Sequence, residues 1–239
     1  MIEATKLSKY FRQPDGSILK ALEDIDLLVP DSQCVLIAGS NGSGKSLLMK
    51  LIANLETPTK GSVRSSEPVG LVFQDADAQI LGDTPLDDVL FGLRANSGLS
   101  KDEAKKTSLK ALAEVGLENK AQSPSHFLSG GEKRRLAIAS VMALGRRTLI
   151  LDEPYSNLDY PGVKSVNALV EKLKADGMTI IILTHELEKC MGLADRFIVL
   201  DKGKLVFDGD CAKALETDLE TWGIRNPDKN GNPKNLVWR

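Results

Sequence analysis

The chain has 239 residues, 42% of them hydrophobic and 27% charged, with 31 Lys and Arg against 33 Asp and Glu for a formal net charge of −2. That much apolar material builds a core without a disulfide or metal staple, and the charge balance excludes the overall basic footprint of a nucleic-acid-binding protein. The longest mostly apolar run, Leu136 to Gly145, falls far short of the ~20 residues a membrane-spanning helix needs.

In chain order, Ile2 to Leu7 and Ala21 to Val29 read as strands flanking the turn Gln13-Pro14-Asp15-Gly16. The first residues lack the basic-then-apolar pattern of a signal peptide. The three cysteines, Cys34, Cys190 and Cys211, are odd in number and widely spaced, which fits a reducing, cytoplasmic setting. The apolar run Val35 to Ala38 breaks into Gly39-Ser40-Asn41-Gly42-Ser43-Gly44-Lys45-Ser46, after which Leu47, Leu48, Leu51, Ile52 and Leu55 recur at helical spacing. Strand, glycine loop and helix in that order form a phosphate-binding loop. Its glycines let backbone N–H groups converge on phosphate oxygens, and the helix N-terminus favours an anion. Lys45 is then placed to bridge the β- and γ-phosphates, and Ser46 to offer a hydroxyl to Mg²⁺.

A short strand, Val69 to Phe73, ends at Gln74, and from about Ala76 to Gly145 the pattern is helical, with Leu109, Leu112, Ala113 and Leu117 as one apolar set. Inside that stretch, Leu128-Ser129-Gly130-Gly131-Glu132-Lys133-Arg134-Arg135 supplies a serine cap and two glycines at a helix start, either a plain cap with a solvated basic run or a second anion-binding terminus. Thr148 to Leu151 and Thr179 to Leu183 are unbroken apolar runs of the kind found in buried parallel strands, joined by a helix from Tyr160 to Asp176. The first ends in Asp152 and Glu153, where a parallel sheet binds its ligands. Asp152 is suited to hold Mg²⁺ through water and Glu153 to polarise an attacking water. The second ends in Thr184-His185, which puts an imidazole at the same edge. Phe197 to Phe207 reads as a hairpin, and the tail from Asn226 as loosely ordered or docked on a partner. Alternating strands and helices predict an α/β core with a parallel sheet, carrying a helical insertion over 76–145.

The glycine loop, Gln74, Leu-Ser-Gly-Gly, Asp152-Glu153, Ser156-Asn157-Leu158-Asp159 and His185, in that order, resemble the ATPase subunit of ATP-binding cassette transporters across residues 2–215. The resemblance implies a P-loop NTPase core with a mainly parallel sheet, an N-terminal antiparallel β subdomain and the inserted helical subdomain, with ATP and Mg²⁺ as ligands. It implies two cassettes stacked head to tail, each ATP lying on one chain's loop (Gly39 to Leu47) and under Ser129, Gly130 and Gly131 of the other. Glu153 is then the general base, His185 the γ-phosphate sensor, and Gln74 a contributor to Mg²⁺ binding and to subdomain coupling. Asp159 communicates across the interface, and Phe11 or Tyr10 stacks on adenine.

A narrower resemblance, carried by Val72-Phe73-Gln74-Asp75-Ala76-Asp77-Ala78-Gln79, the Leu-Ser-Gly-Gly-Glu-Lys-Arg-Arg run and Thr184-His185-Glu186-Leu187-Glu188, is to energy-coupling-factor ATPases. It implies import of a vitamin or a transition-metal ion and peripheral attachment to the cytoplasmic face of the membrane. The implied partners are a transmembrane coupling protein and a small substrate-binding membrane protein, with no nucleic acid. Asp75 and Asp77 are expected to form an acidic groove for a basic coupling helix. The alternatives are a soluble cassette ATPase of cofactor assembly and a nonhydrolytic regulatory cassette. The tail 216–239 matches neither pattern, and is expected to be disordered or to add a dimer contact through Trp222 or Trp238.

Overall fold

The computed structural model describes residues 1–96, 98–228 and 231–239. Its centre is a six-stranded sheet in the order β5 (Gly70–Val72), β6 (Thr148–Asp152), β7 (Thr179–Leu183), β3 (Cys34–Ala38), β8 (Arg196–Asp201) and β9 (Lys204–Gly209). All neighbours run parallel except β8 and β9, which form the hairpin expected from the sequence. The central strands bury both faces. Val35, Ile37, Ile150, Ile181 and Ile198 face one side, and Leu36, Ala38, Leu149, Leu151, Ile182 and Val199 face the other. Two apolar faces erase the alternation that marks a half-exposed strand, which is why these runs read as continuous hydrophobic segments.

On the first side, α1 (Lys45–Ile52) lies beneath an antiparallel sheet ordered β2 (Ile18–Val29), β1 (Ile2–Arg12), β4 (Lys60–Ser65). The hairpin strands are longer than their apolar stretches predict, because pairing from Ile2 with Val29 to Arg12 with Ile18 carries polar residues along. β4 has no hydrophobic signature and is a strand only through its pairing with β1. Leu55 falls beyond α1 and is 59% exposed.

The stretch from Ala76 to Gly145 holds α2 (Ala76–Gln79), α3 (Pro85–Asn96), α4 (Lys101–Glu114) and α5 (Gly130–Ala143). The expected apolar set on α4 is only half right: Leu112 and Leu117 are buried, whereas Leu109 and Ala113 are exposed. Beside Leu112, the helix packs through Ala104, Ser108 and Ala111, small residues that let α3 and α5 approach. α5, α6 (Tyr160–Ala175) and α7 (Cys211–Glu216) cover the second side of the central sheet.

The tail packs on its own chain. Leu236 is buried in the main core, with Trp222, Val237 and Trp238 packed beside it. The backbone is tied down as well: Gly192 N–H donates to Leu236 O at 2.8 Å and Trp238 N–H to Lys189 O at 3.1 Å. The buried Asn167 of α6 donates from Nδ2 to the carbonyls of Lys189 and Trp238, at 2.8 and 3.0 Å. The described part of this segment thus packs on its own chain, with Val237 and Trp238 against the core beside α6 and Trp222 against Phe207.

Candidate functional site

The parallel register brings three sequence-distant segments to one sheet edge. β7 lies between β3 and β6, with Ile37 beside Leu183 and Leu183 beside Asp152. The ladder continues past the strands: Glu153 N–H donates to Leu183 O at 2.9 Å and Thr184 N–H to Ile37 O at 3.3 Å. The glycine loop, Asp152-Glu153 and His185 thus emerge side by side. A cavity of about 400 Å³ at this edge is lined by Asn41 to Leu47, Gln74, Glu153, His185 and Ala21. Sequence reasoning missed Ala21. It reaches the site because the β1–β2 hairpin folds back over the loop.

Gly39 and Gly44 are required by close approach. A side chain at Gly39 would meet the Leu200 carbonyl at 2.3 Å, and one at Gly44, where φ is +104°, would meet Leu22 at 2.7 Å. Lys45 Nζ donates to the carbonyls of Gly39 and Ser40, at 2.6 and 3.1 Å. Burial lowers the Lys45 pKa, against the opposing pull of Glu153 and Asp152. Ser46 Oγ donates to Asp152 Oδ1 at 3.3 Å. Burial also raises the Asp152 pKa; the Ser46 bond opposes that rise and the Glu153 charge adds to it. A half-buried carboxylate with a hydroxyl beside it is a donor set suited to a hard divalent cation.

Glu153 sits in the left-handed region, with φ of 44°, and is only 7% exposed. That backbone conformation turns its side chain toward His185, whose Nδ1 lies 3.0 Å from Oε1. Oε2 is buried with no hydrogen-bond partner, as is Ser43 Oγ on the loop. The Ser43 hydroxyl can donate to a phosphate oxygen, and Glu153 Oε2 can accept from an attacking water.

Ser129, Gly130 and Gly131 do not join this cavity. Ser129 caps α5 at the surface, and Gly130 opens onto a separate cavity of about 330 Å³ with Asp75, Asp77, Lys133, Arg134 and Asn157. Gln74 lines both cavities. Asp159 caps α6, accepting from Gly162 N–H at 2.9 Å. Phe11 and Tyr10 are neighbours on β1, pairing with Leu19 and Lys20, and neither is among the cavity-lining residues. Asp75 accepts from the amides of Asp77 and Ala78 as the cap of α2, and Asp77 pairs with Lys133, so both acids of the expected groove have partners within the chain.

Two further charged residues, Arg134 and Lys120, hold segments beside the site. Arg134 is 3% exposed and donates to the carbonyls of Phe73 and Gln74, the latter at 2.7 Å, so it holds the loop that presents Gln74. Burial lowers its pKa, opposed by Asp152 and Asp75. Helical phase on α5 was the available signal: Arg134 falls on the same side as the buried Ala137, Ile138 and Val141. Lys120 pairs with Glu132 at 2.6 Å. Burial raises the Glu132 pKa, and the Lys120 bond, the Ser129 amide, the Lys120 charge and, least, the Ser129 hydroxyl outweigh it to leave the carboxyl below its usual range. No local pattern announces that contact, because Lys120 lies in a separate short turn of helix.

Comparison with known proteins agrees with this geometry. Residues 22–156 match the family model described as ABC transporter. The energy-coupling factor transporter ATP-binding protein EcfA of Methanosphaera stadtmanae is 37% identical over 225 residues, covering 88% of this chain and 80% of that protein. Among solved structures, CbiO1 of Clostridium perfringens, part of the CbiONQ ABC transporter complex, superposes with a TM-score of 0.80 at 29% identity and 95% coverage of both chains. A dimeric ATP-binding cassette in a post-hydrolysis state, bound to ADP and phosphate, superposes at 0.78 with 27% identity, covering 88% of this chain and 98% of that one.

Proposed function

The chain belongs to the ABC transporter family, and we propose that it is the ATP-hydrolysing subunit of an energy-coupling-factor-type importer that takes up a vitamin or a transition-metal ion. The observation that carries the enzymatic reading is the buried Glu153 carboxylate, paired to His185 and opening on the same cavity as the Lys45 loop. ATP lies along residues 39–47, its phosphates received by the loop amides and Lys45. Glu153 accepts a proton from water as the water oxygen bonds to the γ-phosphorus and the bond to the ADP oxygen breaks. His185 orients Glu153 and the γ-phosphate. Mg²⁺, held by Ser46, Gln74 and, through water, Asp152, would offset phosphate charge. Phe11, or its close rival Tyr10, stacks on adenine.

A second cassette completes the site. The separation of Ser129 and Gly131 from the Lys45 cavity within one chain supports their meeting the γ-phosphate of a partner chain, as does the dimeric form of a solved relative. ATP then closes the dimer because both helix termini share its charge, and phosphate departure releases it. Asp159 links the two sites. Gln74, exposed between both cavities and braced by Arg134, passes closure to a transmembrane coupling protein and a small substrate-binding membrane protein. No helix among the described residues is long and apolar enough to cross a membrane, so attachment at the cytoplasmic face would be peripheral.

Purification of the tagged chain from mildly solubilised membranes, with the cytosol processed in parallel, tests the transport reading. Recovery with a membrane coupling protein and a small membrane binder is expected. Recovery only with soluble assembly proteins would leave the ATPase intact and refute transport.

A further inference from the structure

Two helices of this chain begin with the same reciprocal cap, yet their hydrogen bonds differ. α4 opens at Ser100 and α5 at Ser129. In each, the serine hydroxyl accepts the amide of the glutamate three residues on, whose carboxylate accepts the serine amide. At Ser100 the hydroxyl also donates its proton to Glu103 Oε2 at 2.5 Å, so the group is committed within the cap. At Ser129 the carboxylate is engaged from outside. Lys120 Nζ donates to Glu132 Oε1 at 2.6 Å, and the Ser129 amide donates to Oε2 at 2.9 Å. The Ser129 oxygen accepts from the Glu132 amide at 3.3 Å, and its hydroxyl makes only a minor contact with the Glu132 carboxylate, the smallest of the influences that hold that carboxyl below its usual range.

We propose that Lys120 is a positioning residue for Ser129: by holding and neutralising Glu132, it weakens the carboxylate's hold on the Ser129 hydroxyl, which can then donate to the γ-phosphate of ATP bound on a partner cassette. The inference rests on the reading above that Ser129 meets that phosphate in trans. Glu132 stands at the start of α5, one turn from the expected phosphate, so without Lys120 it opposes the ligand twice. It draws the hydroxyl proton to itself, as Glu103 does, and it places a bare negative charge beside an anion. The Glu132 side chain is 17% exposed and Lys120 45%, so water screens the pair in the separate chain. A partner closing over this surface strips that screening and strengthens the repulsion.

The test uses the full chain carrying Glu153→Gln, with ATP-driven dimerisation followed by light scattering over a range of ATP concentrations. Adding Lys120→Ala should raise the ATP needed for half-maximal dimer about 5- to 30-fold. Adding Glu132→Gln to that variant removes the charge while keeping a capping oxygen, and should recover most of the loss; Lys120→Arg should lose little. Binding of a fluorescent ATP analogue to the monomer reports that the fold and the Lys45 loop are intact in each variant. A Lys120→Ala chain that dimerises at the parent's ATP concentration overturns the proposal, as does a double variant no better than Lys120→Ala. Ser129→Ala separates the proposal from its premise. If Ser129→Ala dimerises like the parent, or the parent forms no ATP-dependent dimer, the trans reading fails and takes the proposal with it. If Ser129→Ala is impaired and Lys120→Ala is not, only the role of Lys120 fails.

Discussion

His185 Nδ1 lies 3.0 Å from Glu153 Oε1, joining the first residue past β6 to the second past β7. The contact holds one carboxylate oxygen and leaves Oε2 buried without a partner, an arrangement that orients a base without consuming its second acceptor. Replacing Glu153 by Gln removes the basic oxygen at nearly constant shape. Steady-state phosphate release by the assembled complex should fall about 10²–10⁴-fold, while ATP binding by filter assay stays within a few-fold. Unchanged turnover would refute the assignment of Glu153.

Asp152 gives a pH-dependent expectation. Burial, the largest influence, raises its pKa above the usual 3.8, so the folded chain holds this proton more tightly than the unfolded chain does. Keeping the carboxyl ionised therefore costs stability above the folded pKa, and the cost vanishes below the unfolded value. In EDTA at neutral pH, Asp152→Asn should raise the thermal midpoint by roughly 2–4 °C. The gain should shrink as pH falls toward 3.8. A gain that persists unchanged in acid would show that some other interaction is responsible.

Arg134 braces the loop carrying Gln74 through the carbonyls of Phe73 and Gln74. Arg134→Met retains the aliphatic bulk and leaves both carbonyls without their donor. Urea denaturation should show a loss of about 1–3 kcal/mol. Turnover should fall with little change in ATP affinity, since Lys45 and its loop are untouched. Equal stability and turnover in parent and variant would show that the brace is dispensable.

Asn167 anchors the C-terminal segment by donating to Lys189 O and Trp238 O. Asn167→Ala should cost about 1–3 kcal/mol and expose residues 232–239 to limited proteolysis well before the core is cut. Trp238→Ala, which removes the ring packed 5.4 Å from Tyr160, should speed the same cleavage. Identical cleavage rates in parent and variants would refute the docking seen here.

Much of the site was legible because its parts are covalently attached to strands that announce themselves. The glycine loop follows β3, Glu153 follows β6 and His185 follows β7, so finding the strands found the residues. The helical insertion was visible as a block, but the packing face of α4 was not. Ala104, Ser108 and Ala111 are buried by their smallness, a property that hydrophobic periodicity weights lightly. β4 escaped because an edge strand of Lys, Gly, Ser and Arg owes its conformation to β1, not to its own residues.

The amino-acid sequence by itself determined most of the elements, the chemistry each loop carries and the family they belong to, because these depend on residues that are neighbours in the chain. Tertiary structure alone decided which loops share an edge and which do not. It put the Lys45 loop, Glu153 and His185 in one cavity and left Ser129 outside it. It buried Arg134 beneath Gln74, set Lys120 against Glu132 and folded Trp238 onto α6. Those relations join residues from 12 to more than 100 positions apart. They are settled by β-strand register and by burial of shared apolar surface, neither of which leaves a local mark in the sequence.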